Sequence, residues 1–303
     1  MKELLVISGK GGTGKTTIVG SLAVLAANKV LADCDVDAAD LHLLLEPQPV
    51  AATEFSASKQ AVIHPQQCSG CGICLDVCRF DAIKEIGGRL AVDEIDCEGC
   101  GVCFHACPER AIAMEDKLSG HWFISQTPYG ALVHARLGIA EDNSGKLVAL
   151  VRRQARILAE EQRAEYIITD GPPGIGCPVI AALSGVDLAL IITEPSVAGK
   201  HDLERILQLT RHFGVKPLVC INKYDLHPGY TEEIQQYCRR EQVDIVGLIP
   251  FDETVVAALV QGVPIVAYED RNGTREAGSA ASAIKEMWTA IESLLTPALS
   301  SGS

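Results

Sequence analysis

The chain has 303 residues, 48% of them hydrophobic, and a formal net charge of −13, which suits one large or two smaller domains with packed cores. The acidic balance argues against binding DNA or anionic lipid through clustered Lys and Arg, and no apolar run approaches the roughly 18 residues of a membrane helix. Neither nucleic acid nor membrane is therefore expected as a partner, and a chain that opens on a strand with no charged leader is expected in the cytoplasm, where 12 cysteines point to metal, not disulfides.

Leu4-Leu5-Val6-Ile7 predicts a strand and Ile18 to Ala27 a helix, with Gly9-Lys10-Gly11-Gly12-Thr13-Gly14-Lys15-Thr16-Thr17 between them. Gly9, Gly14, Lys15 and Thr16 meet the G-x-x-x-x-G-K-[ST] pattern, in which backbone N–H groups cradle phosphate oxygens. Lys15 is expected on the β/γ-phosphates and Thr16 on Mg²⁺. Lys10 is a second lysine that the loop does not need to close around phosphate. Its charge suggests another phosphate oxygen, in a partner subunit.

Lys29 to Cys34 reads as a short strand ending in Asp33, Asp35 and Asp37, with Asp40 close behind. Acids at the carboxyl end of a strand sit where open α/β sheets bind ligands, so they are expected to face Mg²⁺ and the attacking water. The other reading is an acidic loop in which Asp37 or Asp40 caps the next helix. Glu46 to Gln60, with Pro47 and Pro49, reads as a connection into a second module.

That module contains an internal repeat. Cys68, Cys71, Cys74 and Cys78 recur as Cys97, Cys100, Cys103 and Cys107, both C-x₂-C-x₂-C-x₃-C. This spacing is similar to that of bacterial two-cluster ferredoxins, where each motif gives three thiolates to one [4Fe–4S] cluster and its fourth to the other. Cys68, Cys71, Cys74 and Cys107 would hold one cluster, and Cys97, Cys100, Cys103 and Cys78 the second. Structural zinc is the competing reading, although it usually takes paired C-x-x-C at longer separation. Arg79 stands where the first motif would usually carry the proline that the second has as Pro108, a departure that bears on the first loop. Lys84 to Glu94, centred on Gly87-Gly88, reads as a hairpin. The module's acidic excess reads either as a docking face for a basic redox partner or as a solvated surface.

Trp122 to Ser125 and Ala131 to Ile139 read as strands, followed by a helix through Arg163 that Asn143 or Ser144 could cap. Tyr166 to Asp170 is a buried strand ending in an acid, and Gly171 to Gly176 the turn after it: Asp170 would face Mg²⁺ and Gly174 the γ-phosphate. Cys177 opens the next helix, either as a thiolate favoured by the dipole or as a small packing residue. Val186 to Thr193 and Pro217 to Ile221 are further strands, with a helix from about Lys200 to Phe213 between them. Asn222-Lys223-Tyr224-Asp225 has the N-K-x-D shape that reads a base edge, and Asp225 by itself favours GTP. Asp244 to Ile249 is a strand, Pro250-Phe251-Asp252 leads into a helix to Gln261, and Arg275 to Leu295 forms a last helix with a core stripe at Ile284, Met287, Trp288, Ile291 and Leu295.

Gly9 to Thr17, Asp33 to Asp35, Asp170 to Gly174, Asn222-Lys223 and Pro250 to Asp252 together resemble the deviant phosphate-loop ATPases that include MinD, ParA, Mrp and the nitrogenase iron protein. GKGGTGKTT carries that group's signature lysine at Lys10. The resemblance implies a mostly parallel, doubly wound α/β sheet, here with an inserted small α+β two-cluster ferredoxin domain: residues 1–59 and 119–296 form the ATPase domain, 60–118 the insert, and 297–303 a disordered tail. It implies a homodimer with nucleotide at the interface, slow ATP hydrolysis in the absence of a partner, and catalytic roles for Lys10, Lys15 and Asp35, with Lys10 crossing to the partner's ATP and Asp35 positioning water. Nucleotide contacts fall on Gly11, Gly12, Thr13, Gly14, Lys15, Thr16, Thr17, Asn222, Lys223, Asp225, Pro250 and Asp252, Mg²⁺ on Thr16, Asp33 and Asp170, and switch roles on Asp170 and Gly174. The family is adenine-specific, which outweighs Asp225. Cys177 is similar in position to the cysteine of a subunit-bridging cluster, but the second cysteine such a cluster needs has no counterpart between Gly120 and Asp170. The function implied is nucleotide-dependent dimer change coupled to electron transfer through two [4Fe–4S] clusters, with a redox or iron–sulfur partner protein. The alternatives are a cluster-carrier ATPase, or a MinD/ParA-like spatial organiser whose insert senses redox state.

Overall fold

The computed structural model describes residues 1–138, 144–273 and 278–296. The expected cap at Asn143, the expected helix start at Arg275 and the expected disordered tail at 297–303 lie outside the described residues. Backbone contacts divide the chain into two compact units, one of Met1–Ala52, Trp122–Arg136 and Ser144–Ser303, the other of Thr53–His121 with Leu137–Asn143.

In chain order the elements are β1 (Lys2–Ser8), α1 (Lys15–Leu25), β2 (Lys29–Asp33), α2 (His42–Leu45), β3 (Gln48–Ile63), α3 (Ile73–Val77), β4 (Ile83–Ile86), β5 (Arg89–Val92), α4 (Val102–Ala106), β6 (Ile112–Thr127) and β7 (Gly130–Leu137). There follow α5 (Ser144–Gln162), β8 (Tyr166–Pro173), α6 (Cys177–Leu183), β9 (Leu188–Thr193), α7 (Val197–His212), β10 (Lys216–Asn222), α8 (Pro228–Arg240), β11 (Asp244–Ile249), α9 (Glu253–Val260), α10 (Ile265–Asn272) and α11 (Ala280–Leu295).

The main sheet has the order β11-β10-β9-β1-β8-β2-β7-β6-β3, and the pairs from β11 through β7 are parallel. Its central strands are continuous apolar runs because both faces are covered. Leu4, Val6, Ile168, Leu190 and Leu218 pack on one face with residues of α1, α10 and α11. The alternate residues Leu5, Ile7, Ile167, Ile191 and Val219 are also buried, as the two-residue period of a strand requires. The mostly parallel α/β architecture expected from sequence is the one observed.

Several elements depart from expectation. Glu46 to Gln60 was read as a connection because of its prolines, yet Gln48–Ile63 is a 16-residue strand. It lies at the end of the sheet order, and an edge strand tolerates a proline near its start because no ladder donor is needed there. β6 likewise starts at Ile112, ten residues before the expected Trp122. The expected turn at Gly171 is still strand, and Gly171 is required there because a Cβ would lie 2.8 Å from the Val6 carbonyl oxygen. Four helices, α3, α4, α8 and α10, fall where the sequence placed none, although α8 buries Thr231, Ile234, Tyr237 and Cys238 at helical spacing. The acids Asp37 and Asp40 do not cap: the residue before α2 is Leu41, with no side-chain cap.

The cysteine-bearing unit repeats its backbone as well as its sequence. Gly70, Gly72 and Asp81 of the first copy and Gly99, Gly101 and Arg110 of the second all have positive φ. Gly72 and Gly101 stand immediately before α3 and α4 in left-handed conformation, which glycine adopts without steric cost. Cys78 and Cys107 end those helices with similar dihedrals (φ −78°, ψ 105° and φ −74°, ψ 113°), so Arg79 in place of proline does not alter the first loop. A Cβ on Gly99 would fall 1.9 Å from the Lys59 carbonyl oxygen, so this loop closes on β3 only with glycine. The expected hairpin is present, with Ile83 paired to Val92 and Ile86 to Arg89 across Gly87 and Gly88, both at positive φ. The small core consists of Ala61, Cys74, Ile83, Cys103 and Ile112, with Cys78, Cys97 and Cys107 packed against it.

Candidate nucleotide site and cysteine cavity

Because β2, β8, β1, β9, β10 and β11 are parallel, their carboxyl ends share one edge of the sheet. That edge carries Asp33 and Asp35, Asp170, Ser8 and the phosphate loop, Glu194, Asn222 and Pro250 to Asp252. A cavity of about 630 Å³ opens there, lined among others by Gly11 to Thr17, Asp35, Asn222, Lys223, Pro250 and Asp252, with an apolar wall from Leu44, Phe251, Val255 and Leu259. Gly14 precedes α1 in left-handed conformation (φ 87°). A Cβ there would meet the Asn222 Nδ2 at 2.4 Å, so glycine lets this amide close on the loop.

Lys15 is buried, and its Nζ lies 2.7 Å from Asp170 Oδ1 and 3.2 Å from Asp35 Oδ2. Asp33 accepts the Asp35 N–H. Burial alone would lower the Lys15 pKa, but Asp170 and Asp35 outweigh it and hold it above its usual value. Burial pushes the Asp33 carboxyl well up, with Asp170 adding to it, and raises Asp35 against the offsetting Lys15. Three carboxylates face one ammonium, a local charge that a divalent cation would neutralise. Thr13 Oγ1, Asp33 Oδ2, Thr169 Oγ1 and Asp170 Oδ2 are buried without a hydrogen-bond partner in the chain, and buried polar groups are normally satisfied. The donor set, hard oxygens around a phosphate loop, fits Mg²⁺ with its water shell.

Asp33→Asn tests this. A carboxyl whose folded pKa is raised contributes stability below its unfolded value, near 3.9, and loses it as pH rises through the folded pKa. At neutral pH the Asp33 charge is therefore a penalty, and Asn keeps the acceptor for the Asp35 N–H. The variant is expected to be more stable to urea by about 1–3 kcal/mol at pH 7 without nucleotide and to lose Mg²⁺-dependent stabilisation by ATP.

The remaining expected residues divide. Thr16 and Thr17 line the cavity. Gly174, at φ +90°, donates its N–H to the Ser8 carbonyl at 2.8 Å, which ties the expected switch to the phosphate loop. Asn222 donates to the Thr13 carbonyl at 2.8 Å, so its amide braces the loop. Asp225 accepts the Phe251 N–H at 2.7 Å, and a carboxylate used in this way is not presented to a guanine edge. Asp252, expected on the nucleotide, lines the cavity, and one of its oxygens accepts the Thr254 N–H and the other the Ala280 N–H. It joins the starts of α9 and α11. Lys10 was expected without a partner in its own chain, but its Nζ lies 3.2 Å from Glu194. Sequence reading gave Glu194 no role. The signal was present, since Glu194 directly follows an apolar strand, as Asp35 stands just beyond the end of β2.

All 12 cysteines are free. Cys68, Cys71, Cys74 and Cys107 converge on one small pocket of about 10 Å³ with Ile63, Ile73 and Leu90, and they are the set expected for one cluster. Among the described residues, no three or more His, Cys, Asp or Glu are spaced to hold a single metal ion. Each thiolate of a cubane binds a different iron, so its four sulfurs stand further apart than those around one zinc. Cys177 starts α6, is exposed, and has no second exposed cysteine near it in the larger unit, where Cys34, Cys220 and Cys238 are buried. Among the described residues no helix is long and apolar enough to cross a membrane.

A phosphate loop at the centre of a parallel sheet, with strand-end acids around its lysine, defines a nucleotide-binding α/β protein of the phosphate-loop class. The chain belongs to the CobQ/CobB/MinD/ParA nucleotide-binding domain family, whose model matches residues 4–265. It is 37% identical over 224 residues to the uncharacterized protein MJ0578 of Methanocaldococcus jannaschii, covering 73% of this chain and 78% of that one. It is 28% identical over 124 residues to the septum site-determining protein MinD of Bacillus subtilis, covering 39% and 46% of the two chains. Among solved structures it is similar to MinD of Pyrococcus horikoshii, complexed with Mg-ADP, with a TM-score of 0.57 and 18% identity over 98% of this chain and 99% of that one. That last likeness is one of fold.

Proposed function

We propose that the protein is a Mg-ATP-dependent switch of the MinD/ParA type whose cysteine unit holds two [4Fe–4S] clusters that report redox state to the switch. The observation that carries the nucleotide half is the buried Lys15 among Asp33, Asp35 and Asp170 beside the 630 Å³ cavity. With nucleotide present, Lys15 would exchange these carboxylates for phosphate oxygens, Thr16, Asp33 and Asp170 would hold Mg²⁺, and Asp35 would orient the attacking water. Bound Mg²⁺ supplies neutralisation of the phosphate charge. Hydrolysis would be slow in the absence of a partner, because in this scheme the cation Lys10 comes from a second copy, giving a homodimer with nucleotide at its interface.

Residues 60–118 are the proposed insert, with Cys68, Cys71, Cys74 and Cys107 on one cluster and Cys78, Cys97, Cys100 and Cys103 on the other. The repeated backbone and the convergence of Cys68, Cys71, Cys74 and Cys107 on one small pocket support this reading. When bound, the clusters supply one-electron chemistry. Septum site-determining MinD proteins among the relatives favour a MinD-like switch over an electron relay, and redox sensing is the role we assign to the cysteine unit within it. A cluster-carrier role lacks exposed cysteines beyond the repeat other than Cys177.

The two are told apart by ATPase and association assays on the purified full chain with clusters oxidised and reduced. A sensor changes its ATP-dependent association severalfold between the two states. A relay shows ATP-dependent reduction of an acceptor while association is the same in both, and that result would replace the sensor reading with the relay.

A further inference from the structure

Glu194 lies where β9 ends, its side chain 17% exposed, and its carboxylate holds two ammonium groups: Lys10 of the phosphate loop at 3.2 Å and Lys223 at 2.8 Å. Lys223 is held in left-handed backbone (φ 54°), with its N–H on Asn222 Oδ1, and Asn222 in turn reaches the Thr13 carbonyl. The acid therefore bridges the phosphate-loop lysine to the segment beyond β10. Burial works to raise the Glu194 carboxyl, but Lys223 and Lys10 outweigh it and hold it below its usual value.

From this geometry we infer that Glu194 is a positioning residue that restrains Lys10 in the single chain, and that Lys223 sets the strength of the restraint by sharing the same carboxylate. The inference rests on the proposed dimer only for its consequence: Lys10 cannot reach a second copy's nucleotide until it leaves Glu194. The sharing matters because a carboxylate neutralised by Lys223 gives Lys10 up more readily than one that faces Lys10 alone. The two neighbours therefore predict opposite effects. Glu194→Gln frees Lys10, whereas Lys223→Met leaves Glu194 to Lys10 alone and tightens the hold.

The test is the rate of Lys10 acetylation by an amine-reactive ester in dilute, nucleotide-free full chain, read by mass spectrometry relative to Lys2. E194Q is expected to label about fivefold faster, the change that an ion pair of about 1 kcal/mol gives, and K223M more slowly than the native chain. Equal labelling in E194Q, or faster labelling in K223M, overturns the inference. ATP-dependent association by sedimentation is the second readout. With two restraints released per dimer, E194Q is expected to lower the dissociation constant by about 25-fold, that is five times five. An unchanged constant beside faster labelling overturns the link from restraint to pairing. If the native chain does not associate with ATP at all, the dimer reading fails, and labelling still decides whether Glu194 restrains Lys10.

Discussion

Lys15→Met is expected to cost about 3–5 kcal/mol of stability in the nucleotide-free protein at pH 7 to 8, the range for removing one partner from a buried charge pair. Methionine fills the same volume but leaves Asp170 and Asp35 facing each other without the ammonium at 2.7 and 3.2 Å. The raised Lys15 pKa means that its stabilisation is fully present below its unfolded value near 10.4 and is lost only as pH rises through the folded value. It is therefore in force across the neutral range. The raised carboxyls Asp33 and Asp35 have the opposite consequence for the variant. As pH falls they take up protons before an ordinary carboxylate would, and the gap between native and variant narrows. Urea titrations at pH 8, 7 and 5 measure this, and Lys15→Met with Asp170→Asn should recover most of the loss. A single-variant cost below about 1 kcal/mol would show that the lysine does not balance these acids. The variant should also lose the stabilisation that saturating ATP gives, about 2.7 kcal/mol at a hundredfold excess over Kd.

Cysteine substitutions carry the second large effect, and their pattern is more informative than their size. Cys74→Ser and Cys103→Ser should each reduce iron from about eight to about four per chain, because the two residues occupy matching places in different copies of the repeat. Cys74→Ser with Cys107→Ser should lose no more than Cys74→Ser alone, since both line one cavity. Cys74→Ser with Cys78→Ser, two residues of the same motif, should lose nearly all of it. Cys220→Ser, in the core of the larger unit, should change nothing in iron. Iron and sulfide counting checks each protein. A native chain with zinc at one or two per chain and no sulfide would end the cubane reading, and equal loss in the two double variants would end the crosswise assignment of Cys78 and Cys107.

Two expected nucleotide contacts show what local spacing does not carry. Asp252 lines the cavity and Asp225 stands in a base-reading motif, and both also accept backbone N–H groups of distant segments, Ala280 and Phe251. Nothing local announces that, because the partner is chosen by how α11 and β11 are placed. The strand β3 was missed because proline and alanine carry little strand signal, and it exists because another strand lies beside it. By contrast α8 is legible in the sequence, because Thr231, Ile234, Tyr237 and Cys238 are buried at helical spacing.

The phosphate loop and its lysines, the central apolar strands of the larger unit, the acids at the end of β2 and the doubled cysteine motif are all legible in the chain itself. Each of these depends on residue type and short-range spacing, which the chain carries on its face. Packing sets which carboxylates Lys15 meets, that Asn222 braces the loop it was expected to face across a ligand, and that Lys10 rests on Glu194. Those outcomes depend on parallel strands from separate parts of the chain ending at one edge, and on buried charges that must find a partner wherever the fold supplies one.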